Sequence, residues 1–146
     1  MSGCLGCQLA TKELPLHVVY ENERICCFLD HDPYNEGHTL ILPKAHVSEV
    51  DELDEETAIE IMKMSMVIAK ALKQLYKPDG ITINQNNGIF NELSHYHMHV
   101  VSRFSDRSFE DFYAETPLDN GHLQEKLTIT RELLRSEIGK IMSDSK

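Results

Sequence analysis

The chain has 146 residues, a formal net charge of −10, and 41% hydrophobic and 26% charged residues. That is one domain's worth of chain, able to bury a core without cross-links, and no apolar run is long enough to span a bilayer. The acidic balance excludes a protein that holds long DNA or RNA by its phosphates, which takes a concentration of Lys and Arg; a small phosphorylated ligand held by histidines and backbone N–H groups is still permitted.

The opening Met1-Ser2-Gly3-Cys4 has neither a basic n-region nor an apolar h-region, so the expectation is a cytoplasmic protein with no membrane partner. In that reducing compartment the four cysteines are thiols or metal ligands rather than disulfides. Cys4-Leu5-Gly6-Cys7 has metal-ligand spacing but supplies only half of a tetrahedral site. Leu16 to Tyr20, Arg24 to Asp30 and His38 to Pro43 are rich in Val, Ile, Leu and Phe and separated by turn residues, which predicts an antiparallel meander. The adjacent Cys26 and Cys27 point to opposite faces of its second strand and read as small core residues.

From Asp54 the period changes. Ala58, Ile61, Ser65, Ile68, Leu72 and Leu75 recur at steps of three and four, the mark of an amphipathic helix. Asp54 caps it, Glu55 and Glu56 suit the positive end of its dipole, and Lys77-Pro78-Asp79-Gly80 ends it. Met62 and Met66 widen its apolar surface, as extra core or as a subunit interface. Ile81 to Asn84 and His95 to Arg103 are predicted as the last strands. Ser105 to Asp119 is predicted as an irregular loop, and Leu123 to Met142 as a second main helix. The expected architecture is a single α+β domain over residues 1–146, its core at about 4–104 and a C-terminal loop and helix at about 105–143. It has an antiparallel sheet of about five strands and two main helices.

In His95-Tyr96-His97-Met98-His99-Val100 apolar residues alternate with histidines, and strand side chains alternate between faces. Three imidazoles thus share one face, while Tyr96, Met98 and Val100 turn to the core. Packing explains this poorly, because the imidazoles repel one another when protonated. They either bind a metal or perform nucleophilic and acid–base chemistry. Both roles coexist if one of them joins Cys4, Cys7 and a further histidine in a structural zinc site and the others stay free.

The stretch HYHMHVV resembles the His-x-His-x-His-x-x signature of the histidine triad (HIT) family of nucleotide hydrolases and transferases. Cys4-x-x-Cys7, Phe28-Leu29-Asp30, Gly37-His38-Thr39-Leu40-Ile41-Leu42-Pro43-Lys44-Ala45-His46 and Asn84 stand in the family's order, so the resemblance covers roughly Cys4 to Phe104. It implies a HIT-like fold and a small-molecule nucleotide ligand. It also implies reaction at the α-phosphorus, with His97 attacking to form a covalent nucleotidyl intermediate that water or another acceptor resolves. His99 would contact the phosphate, Asp30 the ribose hydroxyls, and Asn84 would hold the phosphate or its neighbours, with Asn91 and Phe28 completing the nucleotide site. A structural zinc held by Cys4, Cys7, His46 and His95, and a homodimer, follow from the same resemblance.

Where many members carry Gly-Gln-Ser or Gly-Gln-Thr before the triad, this chain has Phe90-Asn91-Glu92. Asn91 replaces the amide, but an ionised Glu92 cannot donate like a hydroxyl and repels a phosphate. The leaving group therefore stays open between dinucleoside polyphosphates, nucleoside phosphoramidates and other adenylated compounds. Two alternatives stand beside the hydrolase: a metal-dependent hydrolase with the strand histidines as ligands, and a nucleotide-binding or scaffolding protein with negligible turnover.

Overall fold

Asn22 organises the first hairpin of the computed structural model, which describes residues 4–114 and 117–144. Its side-chain Oδ1 accepts from the N–H groups of Arg24 and Ile25 at 2.8 and 3.1 Å. This joins β1 (Val18–Glu21) to β2 (Ile25–Leu29), and β2 pairs in turn with β3 (Thr39–Pro43). After the long helix come β4 (Gly80–Asn84) and β5 (Met98–Arg103), and β5 inserts between β3 and β4. The sheet is five-stranded and antiparallel, in the order β1-β2-β3-β5-β4. The expected α+β class and strand number are therefore found.

Every residue of β2 and β3 is buried, because both faces of the sheet are covered there. On one face Ile25, Cys27, Leu29 and Ile41 pack with Ile61, Met64, Ile68 and Leu72 of α2 (Glu55–Tyr76) and with Leu134 and Ile138 of a C-terminal helix. On the other, Cys26, Phe28, Leu40 and Leu42 pack against Ala10 of the short helix α1 (Leu5–Ala10). Helix α2 starts and stops as expected: Asp54 accepts from the Thr57 N–H at 3.1 Å, and Lys77 closes it in the left-handed region at φ 49°. Met62 and Met66, however, are 58% and 66% exposed and belong to no core.

The stretch after β5 is less irregular than expected. A 3₁₀ turn spans Phe109–Tyr113, while residues 115 and 116 of the predicted loop lie outside the described residues, as do residues 1–3 of the opening segment. The final helical region is divided into α3 (Gly121–Gln124) and α4 (Leu127–Asp144), which buries Thr130, Leu134, Ile138 and Ile141. Among the described residues, no helix is long and apolar enough to cross a membrane.

Candidate functional site: two histidine clusters on one chain segment

The triad enters its strand through a tied-down loop. The Asn91 Oδ1 accepts from the N–H groups of Leu93 and Ser94 at 3.0 and 3.1 Å, and its Nδ2 donates to the Ser48 carbonyl at 2.9 Å. Ser94 then turns through the left-handed region at φ 56°, and the Tyr96 N–H donates to the Val47 carbonyl at 2.6 Å. Regular pairing begins later than the sequence suggests, at Met98 opposite Ile41, since the Tyr96 N–H turns to the loop after β3. The alternation still holds, with Tyr96, Met98 and Val100 in the main core.

His95 is fully buried. Its Nε2 stands 2.8 Å from the Pro43 carbonyl. A carbonyl only accepts, so the proton sits on Nε2 and the lone pair on Nδ1. That Nδ1 lies 3.6 Å from the thiols of both Cys4 and Cys7, and the His46 Nδ1 lies 3.2 Å from the Cys7 thiol. The four ligand atoms lie within 4.8 Å of one another. A tetrahedral zinc, with bonds of about 2.3 Å to sulfur and about 2.0 Å to nitrogen, separates its ligands by about 3.3–3.8 Å, so donor set and spacing fit that ion. Gly6 makes the approach possible: a Cβ there would overlap Cβ and Cγ of His95.

The second cluster opens on a cavity of about 300 Å³ lined by His97, His99, His38, Asp30, Phe112 and Tyr113 among others. The His97 Nδ1 lies 2.9 Å from the His95 carbonyl, so Nδ1 carries the proton and neutral His97 has its lone pair on Nε2. His38 accepts the Tyr34 N–H on Nδ1 at 3.0 Å, and its Nε2 stands 2.9 Å from the His99 Nδ1. Burial pushes His38 down to about 3, and burial with the neighbouring His38 and His97 pushes His99 down to about 3, so both rings are neutral near pH 7. The chain of donors then has one solution: His38 carries its proton on Nε2 and gives it to the His99 Nδ1, and His99 carries its own proton on Nε2.

Asp30, His38 and His99 also lie close enough together to suggest a metal group. They do not fit one, because both His38 nitrogens are engaged, one by a backbone N–H and the other as donor to His99. Burial raises the Asp30 carboxyl, whose Oδ1 accepts the Asp32 N–H at 2.9 Å. Among the described residues no lysine or arginine lines the cavity, whereas the carboxylates of Asp30, Asp32 and Glu92 do.

Of the residues expected at a nucleotide site, Asp30, His97 and His99 meet at this cavity. Asn84 lies opposite His99 in the β4–β5 pairing, and its Nδ2 donates to the Tyr113 hydroxyl at 2.5 Å. The structure does not bring Asn91 or Phe28 to the lining. The Asn91 amide is used by its own loop, and Phe28, 3% exposed, belongs to the small core under α1. Sequence reasoning assigned no role to His38, Tyr34, Phe112 or Tyr113. His38 had a signal, since it stands inside the Gly37-to-His46 stretch already singled out. The aromatic pair stood in a segment without periodicity.

A HIT domain model matches residues 11–106. An uncharacterized HIT-like protein of Methanocaldococcus jannaschii is 37% identical over 103 residues, which are 69% of this chain and 79% of that protein. Adenosine 5'-monophosphoramidase of Saccharomyces cerevisiae is 30% identical over 109 residues, 73% of this chain and 66% of the enzyme. Among solved structures, a zinc-bound histidine triad family protein from Mycobacterium smegmatis superposes with a TM-score of 0.78 at 26% identity, covering 98% of each chain.

Proposed function

The chain belongs to the HIT family, and on that premise we propose that it is a nucleotide hydrolase or nucleotidyl transferase working through a covalent His97 intermediate. The observation that carries the reading is the pair of assigned tautomers: a lone pair on the His97 Nε2 beside an N–H on the His99 Nε2, both at one cavity. The His97 Nε2 forms a bond to the α-phosphorus, and the bond from phosphorus to the leaving group breaks with its electron pair going to the leaving atom, which takes up a proton from water. The His99 N–H donates to a phosphoryl oxygen as charge builds there. Water then cleaves the N–P bond, releasing a nucleoside monophosphate and returning the imidazole. The yeast relative's name favours an adenosine phosphoramidate as substrate, with a dinucleoside polyphosphate as the rival.

Zinc at Cys4, Cys7, His46 and His95 would supply structural cross-linking, holding α1 and the loop after β3 against the segment that carries His97. We also propose a single working domain over residues 1–146, a cytoplasmic location, and a homodimer. Support for the dimer is the exposure of Ile59, Met62 and Met66 on α2 and of Ile83 on the edge strand β4. The three carboxylates around the cavity, with no lysine or arginine among its described lining residues to offset them, oppose build-up of negative charge there and keep a second reading, a nucleotide binder with negligible turnover.

Intact-protein mass spectrometry after acid-free quenching with an adenosine phosphoramidate separates the two. An adenylyl adduct on the wild type, absent from His97→Gly, supports covalent catalysis. Nucleotide binding without adduct or product supports the binder.

A further inference from the structure

The cavity has to accept an anion without a lysine or arginine among the described residues of its lining, so neutral N–H and O–H donors must do the work. Two phenols line it, Tyr34 and Tyr113. The Tyr34 hydroxyl already donates to the Ser108 carbonyl at 2.7 Å. The Tyr113 oxygen instead accepts, from the Asn84 Nδ2 at 2.5 Å, and among the described residues no group accepts its own proton. Tyr113 is 58% exposed at the cavity wall, next to Phe112, whose ring stands edge-on to His99 with 5.2 Å between centroids. The 3₁₀ turn Phe109–Tyr113 is fixed from beneath: Phe109 stacks on Phe112 at 4.7 Å, and Arg107 lies 3.9 Å over the Tyr34 ring while donating to the Tyr34 carbonyl at 3.0 Å.

We infer that Tyr113 is a phosphate-binding residue: its O–H donates to a phosphoryl oxygen of the bound nucleotide, and Asn84 is the positioning residue that orients it. This rests on the reading that a nucleotide occupies the cavity. Asn84 thereby acts on the phosphate through Tyr113. The hydroxyl also restores a donor to a wall where Glu92 contributes a carboxylate.

Calorimetric titration of the full chain with AMP and with adenosine tests the inference. Tyr113→Phe keeps the ring of a half-exposed side chain, so its melting temperature should match the wild type. The variant is expected to bind AMP about 10–100-fold more weakly, the scale of one hydrogen bond to a charged group, and adenosine within about twofold of wild type. Asn84→Ala should show a smaller loss confined to AMP. Unchanged AMP affinity in Tyr113→Phe, or equal losses for AMP and adenosine, would overturn the inference while leaving the nucleotide reading standing. A wild type that binds neither ligand would overturn the nucleotide reading, and this inference with it.

Discussion

His95 and His97 lie two residues apart on one chain segment, yet the two imidazoles are prepared for opposite tasks. Each gives one ring N–H to a main-chain carbonyl, His95 through Nε2 to Pro43 and His97 through Nδ1 to its own neighbour His95. The nitrogen left over therefore differs. In His95, itself fully buried, it is Nδ1, beside two thiols; in His97, which lines the cavity, it is Nε2. A choice of carbonyl partner, costing one hydrogen bond in either case, decides whether an imidazole is a metal ligand or a nucleophile.

The sharpest way to break that contrast is to remove the cavity member. His97→Gly should lower turnover by at least about three orders of magnitude while leaving the melting temperature and AMP affinity close to wild type, read by product assay, thermal melt and calorimetry. A comparable loss of stability would mean that His97 is structural like His95. Next in size, His38→Ala removes the donor that sets the His99 tautomer, and kcat should fall about 10–100-fold with a smaller change in KM. Cys7→Ser strikes the other cluster. It should abolish stoichiometric zinc in metal analysis and lower the melting temperature by about 5–15 °C, yet leave turnover per folded molecule within about threefold.

A further effect comes with acid. His38 and His99 are held far below their ordinary value of 6.5, at about 3, so the unfolded chain binds protons that the folded chain refuses. Their contribution to stability is complete above about pH 6.5 and is lost as pH falls from there towards 3. Asp30, pushed up by burial, opposes this, but it is one group against two. Thermal melts across that window should show the decline, and His38→Ala should flatten it.

Much of this was legible in the sequence, for reasons that can be named. The histidine alternation survives even where strand pairing does not, because side-chain alternation needs only extended backbone. The cap and period of α2 are local, and so was its start at Asp54. What the sequence left open depended on distant partners. The role of His38 exists only because β3 pairs with β5, which sets Thr39 opposite Val100 and brings the His38 and His99 rings into contact. Asn91 looked like a replacement amide, but a side-chain amide after a turn is readily captured by nearby backbone, and here Ser48, Leu93 and Ser94 capture it. Tyr113 stood in a stretch with no hydrophobic period, and only the Asn84 contact gives it a place.

The most direct test of the contrast is long-range proton–nitrogen NMR of the histidine rings in the zinc-loaded protein near pH 8. The account predicts a proton on Nδ1 of His97 and on Nε2 of His38, His95 and His99. A proton on Nε2 of His97, or on Nδ1 of His99, would contradict it.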